Sequence, residues 1–144
     1  MIRRFIDVGI AVGDLQAAVE RYSAVLGAAP RALGPADYAY PGLTGARFYL
    51  PNATISLVAS DDPASTISRF IRGRGEGVNH LTIEVTDLEQ DVPALSDRGL
   101  RFLTAGPLRF PEGRVIFAHP GPLHGVQLAF VQPDPGIDLL RPPF

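Results

Sequence analysis

The chain has 144 residues, 46% of them hydrophobic and 19% charged, with a net charge of −2, which marks one soluble globular unit rather than a disordered chain. It has no cysteine, so thiol catalysis, disulfides and cysteine-ligated metal are excluded. Its basic residues are dispersed and its apolar runs are only strand-length, so neither nucleic acid nor a membrane is an expected partner.

Segment 5–12 is rich in β-branched and apolar residues and reads as a strand with Asp7, Gly9 and Ala11 on one face. Asp14 is placed to cap a helix over 15–26, whose Leu15, Ala18, Val19, Tyr22 and Leu26 form a stripe at helical spacing. Gly27 closes that helix. Segment 31–45, with Tyr38 and Tyr40 among prolines and glycines, reads as loop. Strands are expected over 47–50 and 54–59, joined at Pro51-Asn52, and a short helix over about 65–72. After the glycine-rich connector 73–77 the order repeats: a strand over 80–85, a helix capped by Asp87 and reaching about Arg98, a strand over 100–104, a loop over 106–113, and strands over 115–118 and 125–131. The tail beyond Gln132, with its prolines, is expected to be extended and either loosely packed or set against a partner. Asp7 and Asp14 interrupt the N-terminal segment too early for a signal peptide, so a cytoplasmic location is expected.

The repeat is explicit. Ile10-Ala11-Val12-Gly13-Asp14-Leu15 returns as Ile83-Glu84-Val85-Thr86-Asp87-Leu88, with four of six residues identical at an offset of 73. The same offset pairs Asp7 with His80 and Ser56 with Ala129. Two such units cannot each bury a sheet face alone and must pack on one another, which brings these four positions to one cavity. The expectation is an α+β protein with two βαβββ modules forming a cupped mixed sheet with helices outside. Its segments are a first module over 1–60, a connector over 61–76, a second module over 77–132 and a proline-rich tail over 133–144.

Several stretches carry a family likeness. Arg74-Gly75-Glu76-Gly77-Val78-Asn79-His80-Leu81, Arg98-Gly99-Leu100, Phe117-Ala118-His119-Pro120 and His124-Gly125-Val126 resemble motifs of the vicinal oxygen chelate superfamily, and within it most of all the methylmalonyl-CoA epimerases. The likeness runs over roughly 5–132. It implies the glyoxalase-like fold and a homodimer. It also implies a divalent metal held by one ligand from each of four strands, at positions that here are Asp7, Ser56, His80 and Ala129. Only His80 keeps the expected ligand type. Ser56 offers a neutral hydroxyl and Ala129 offers nothing, so the expectation is that no metal or other cofactor is used.

Asp7 and His80 are then the candidate catalytic pair. A carboxylate beside an imidazole would raise the histidine pKa and set its tautomer, and such a pair can move a proton next to a carbonyl. A polar core pair with no chemistry is the competing reading. Ser56, Gln127, Ala129, Thr82, Tyr49, Arg47 and Arg114 are candidate substrate-binding residues, with Tyr38 and Tyr40 as further wall residues. Glu84 shares a strand face with His80 and is either a second acid or, as the preferred reading, a solvated residue at the strand end. His119 and His124 flank a Pro-Gly-Pro turn and could contact a ligand at the cavity mouth, although a turn feature is the preferred reading. Arg69, Arg72 and Arg74 form a basic cluster that could meet the phosphates of a coenzyme A ester or simply be a solvated helix face.

Three functions compete. The first is a metal-independent isomerase, lyase or cyclase using acid–base chemistry on a carbonyl or thioester. The second is a small-molecule-binding protein of the drug-sequestering, bleomycin-resistance kind. The third is a metal-dependent epimerase of the methylmalonyl-CoA type.

Overall fold

A computed structural model describes residues 1–143. Among these, the first module comprises β1 (Ile2–Ala11), α1 (Leu15–Leu26), β2 (Arg31–Leu33), β3 (Thr44–Tyr49) and β4 (Thr54–Ala59). Helix α2 (Thr66–Arg74) follows. The second module comprises β5 (Gly77–Val85), α3 (Leu88–Asp97), β6 (Leu108–Phe110), β7 (Gly113–Phe117) and β8 (Leu128–Pro133). The strands form one mixed eight-stranded sheet in the order β2-β3-β4-β1-β5-β8-β7-β6. This is the expected α+β architecture of two βαβββ modules.

The repeat is visible in the register. β1 pairs parallel with β4, matching Gly9 to Ser56, and β5 pairs parallel with β8, matching Thr82 to Ala129. Both pairs obey the 73-residue offset. The modules join where β1 meets β5 antiparallel, with Asp7 opposite Thr82 and Gly9 opposite His80. Antiparallel pairing at the centre is what lets one continuous sheet serve both halves.

The helices form for the reasons the sequence suggests. Asp14 accepts a hydrogen bond from the Ala17 backbone at 3.0 Å, and Asp87 accepts one from Glu89 at 3.0 Å. Caps of this kind contribute about 1 kcal/mol each. Gly27 ends α1 at φ 64°, a left-handed position that glycine takes without strain. The α1 stripe packs on Phe48 and Leu57, while α3 packs on Ile116 and Phe130.

Five segments differ from the sequence reading. The stretch 100–104 makes only a single bridge, Phe102 to Ala118, and the strand forms instead at Leu108–Phe110. The prolines and glycines around 106–113 read as loop, yet Leu108 and Phe110 alternate about Arg109, and a tight turn at Pro111-Glu112 returns the chain into β7. Arg31–Leu33, read as loop, pairs with the outer edge of β3, a tertiary contact that local pattern does not carry. The last strand begins at Leu128 rather than at Gly125, whose φ of 85° suits a turn. The proline-rich tail folds back on its own chain: Leu139 and Leu140 are buried with Ile6, Val115 and Val131, so that surface is spent within the molecule.

Candidate functional site

The concave face of the sheet encloses a cavity of about 430 Å³ lined by both modules. Asp7, Arg47, Ser56, His80, Thr82, Gln127 and Ala129 all face it. The walls are mainly apolar, with Leu43, Phe70, Phe117 and Val131 among them. A mainly apolar pocket with a few converging polar groups is the usual form of a small-molecule site.

Asp7 is 4% exposed, and its carboxylate is held by neighbours on its own sheet. Thr54 Oγ1 donates to Asp7 Oδ1 at 2.6 Å, and Ser56 Oγ donates to the same oxygen at 2.9 Å. Arg47 Nε in turn donates to Ser56 Oγ at 3.0 Å. The chain Arg47–Ser56–Asp7 therefore uses Ser56 as both acceptor and donor, which hydroxyls allow. The other carboxylate oxygen, Oδ2, lies 3.8 Å from His80 Nε2, an ion-pair separation rather than a hydrogen bond.

His80 Nδ1 lies 3.1 Å from Asn79 Oδ1. The tautomer that satisfies this acceptor carries its proton on Nδ1 and leaves Nε2 with a lone pair beside Asp7. Phe117 packs edge-on against the ring at 5.9 Å. Burial lowers the His80 pKa below the ordinary 6.5, Asp7 opposes that, and Arg47 adds to it. The net direction is downward, which corrects the expectation that the carboxylate raises it: desolvation of the imidazolium outweighs a carboxylate that stops short of hydrogen-bond distance. Burial also drives the Tyr38 phenol well above its ordinary range, so it stays protonated.

Two candidate binding residues fall outside the cavity. Arg114 shares β7 with Val115 and Phe117 but has the opposite parity, so it points towards α3, where it pairs with Glu89 and Gln132. Tyr49 has the parity of Arg47 but lies one step beyond the cavity, where its hydroxyl accepts from Arg31 at 3.1 Å. Glu84 is not solvated: it is 1% exposed and pairs with Arg3 and Arg4. His119 accepts from the Gly121 backbone at 3.0 Å, as a turn residue would. Tyr38, Tyr40 and Arg69 do line the cavity.

The sequence reading missed Asn79, Phe70, Phe117 and Leu139. Phe117 follows Val115 by period two, and Phe70 follows Ile67 at helical spacing, so both were recoverable from periodicity. Leu139 was not, because it arrives from the folded-back tail.

The fold and this site define a class. Residues 7–118 match the model of the glyoxalase/bleomycin resistance protein/dioxygenase superfamily, and the chain belongs to that superfamily. It is 35% identical to the ethylmalonyl-CoA/methylmalonyl-CoA epimerase of Cereibacter sphaeroides over 87% of this chain and 94% of that protein. The crystal structure of methylmalonyl-CoA epimerase from Mycobacterium tuberculosis matches with a TM-score of 0.81 and 31% identity, covering 93% of this chain and 90% of the other. A Streptomyces coelicolor methylmalonyl-CoA epimerase variant in complex with 2-nitronate-propionyl-CoA matches with a TM-score of 0.83 and 26% identity, covering 94% of this chain and 97% of the other.

These relatives correct the expectation that no cofactor is used, because methylmalonyl-CoA epimerases are typically dependent on a divalent cation. The side chains at the matching positions are another matter. Among the described residues no three histidine, aspartate or glutamate side chains gather as a metal site. Asp7 and His80 supply two donors, Ser56 is already engaged by Arg47 and Asp7, and Ala129 is 1% exposed with no donor atom. The donor set does not fit a four-ligand centre.

Proposed function

We propose that this chain is an epimerase-type isomerase acting at the carbon next to the carbonyl of an acyl-coenzyme A thioester. The observation that carries the reading is the Asp7–His80 pair on the wall of a mainly apolar cavity, in a chain 35% identical to an ethylmalonyl-CoA/methylmalonyl-CoA epimerase. The thioester carbonyl acidifies the neighbouring C–H. A neutral His80, with its Nε2 lone pair beside Asp7 at the cavity wall, is the base that takes that proton. Asp7, fixed by Thr54 and Ser56, stabilises the imidazolium as it forms. Arg47 and Gln127, on the same cavity, are the donors for the developing enolate oxygen. Thr82 and Ala129 shape the floor beside them.

Base and carboxylate share one wall, so inversion requires the planar enolate to turn its opposite face to His80 before the proton returns, and that proton exchanges with water while it resides on the imidazole. The test is deuterium uptake at the α-carbon of ethylmalonyl-CoA or methylmalonyl-CoA in D2O, followed by mass spectrometry. Uptake dependent on protein and lost in His80→Gln is expected. Tight binding of these thioesters with no exchange would favour instead the ligand-sequestering reading that the apolar walls also support. A homodimer and a cytoplasmic location belong to the same proposal. Sedimentation that finds only monomer would remove the former.

A further inference from the structure

The cavity holds only part of a coenzyme A ester. At about 430 Å³ it suits an acyl group and the start of the pantetheine arm, so the nucleotide with its phosphates must lie outside the mouth. One wall of that mouth is α2, which presents Thr66, Ile67, Arg69 and Phe70 to the cavity.

Seven arginines make no ion pair among the described residues. Arg21, Arg98, Arg101 and Arg141 are scattered and none lines the cavity, whereas the other three lie together on α2. Arg3, Arg4, Arg31, Arg47, Arg109 and Arg114 each pair with a carboxylate. Arg69, Arg72 and Arg74, three guanidiniums within six residues, make no ion pair among the described residues, and all three are exposed. Arg69 reaches the cavity rim directly. Arg72 follows it by one helical turn. Arg74 lies over the Phe70 ring at 5.9 Å and donates to the Gly125 carbonyl at 3.3 Å, which ties α2 to the loop that leads into Gln127 on the opposite wall. Guanidinium forks left without carboxylates at the rim of an acyl pocket match the planar, multidentate recognition that phosphate esters need.

We infer that Arg69, Arg72 and Arg74 form the phosphate-binding rim of the site and receive the phosphorylated nucleotide end of the coenzyme A thioester. This rests on the thioester reading above and assigns the specificity for the coenzyme A carrier to α2, separate from the Asp7–His80 pair that faces the acyl end. Affinity for the carrier is then set by charge, and affinity for the acyl arm by apolar contact.

The experiment compares propionyl-CoA with propionyl-pantetheine, which has the same acyl arm and no phosphate, by calorimetric titration of the whole chain. The wild type should bind the CoA ester at least about tenfold more tightly at low ionic strength, and the difference should shrink as salt is added. The double variant Arg69→Ala/Arg72→Ala should lose about tenfold in CoA-ester affinity and far less in pantetheine-ester affinity. Arg72→Ala alone, outside the cavity lining, should weaken only the CoA ester, with circular dichroism unchanged in both variants. Arg74→Ala, which also loosens the contact to Gly125, should weaken the CoA ester in the same sense. If the wild type binds both esters but the double variant binds the CoA ester as the wild type does, the rim assignment is overturned alone. Equal loss for both esters overturns it as well, since that reports a disturbed pocket rather than a lost phosphate contact. If the wild type binds neither ester, the thioester reading fails and the rim assignment fails with it.

Discussion

The His80 imidazole occupies the space that a side chain at position 9 would take. Gly9 and His80 face one another across β1 and β5, and a Cβ built on Gly9 would sit 2.1 Å from His80 Cε1. The ring is thereby held between the bare backbone of Gly9 and the edge of Phe117. The glycine is required for close approach rather than for an unusual backbone angle.

Gly9→Ala should therefore push the ring out of line with Asp7. The expected result is a fall in α-proton exchange of about 10² or more, comparable to the contribution of a general base, with the sheet still formed. Exchange at the wild-type rate in a folded Gly9→Ala protein would show that the ring position is not what matters.

His80→Gln should lower exchange by about 10² to 10⁴. Asp7→Asn should lower it less, because Thr54 and Ser56 still have an oxygen to bind while the charge that steadies the imidazolium is gone. Rates measured at several pH values on both variants check this. An Asp7→Asn protein more impaired than His80→Gln would reverse the roles assigned to the two residues.

The lowered His80 pKa also makes a stability statement. In the unfolded chain the imidazole titrates near 6.5, and in the folded chain it titrates lower. Below 6.5 the unfolded state binds the extra proton first, so stability falls as pH drops from about 6.5 through the folded pKa, and is fully present above 6.5. Chemical denaturation between pH 7.5 and pH 5 should show this loss in the wild type and a flatter profile in His80→Gln. An equal slope in both would assign the loss to other groups.

Glu84 offers a test of the fold away from the cavity. Its carboxylate is buried where Arg3 and Arg4 converge from β1, and Arg4 also reaches Asp138 of the tail at 2.7 Å. Glu84→Gln keeps the shape and removes the charge. The two arginines are partly exposed and can turn to water, so the expected cost is about 1–2 kcal/mol rather than that of a fully buried broken pair. Calorimetry should read it as a fall in Tm of roughly 3–8 °C. No change would place Glu84 outside the stabilising contacts.

Much of this molecule follows from local pattern. The stripe and caps of α1, the cap of α3 and the 73-residue repeat are short-range or periodic features, and they suffice to set the number and order of modules and to bring Asp7, Ser56, His80 and Ala129 to one concave face. Strand parity carries further information. It puts Val115 and Phe117 on the cavity and Arg114 on the other side, and applying it would have removed Arg114 from the candidate binding residues.

What the tertiary structure alone decided is distance and environment. Nothing in the pattern says that Asp7 stops 3.8 Å from His80, and it is that gap together with burial that turns the histidine pKa downward. Nothing local says that Glu84 is enclosed by Arg3 and Arg4 from 80 residues away, or that Leu139 returns to the cavity wall. The strand at Leu108–Phe110 and the edge strand at Arg31–Leu33 exist because a neighbouring strand offers hydrogen bonds, and a lone segment carries no record of its neighbour. Periodicity is written along the chain by the geometry of one residue after another, whereas desolvation and ion pairing depend on which residues meet through space, and that is settled only when the two modules close on each other.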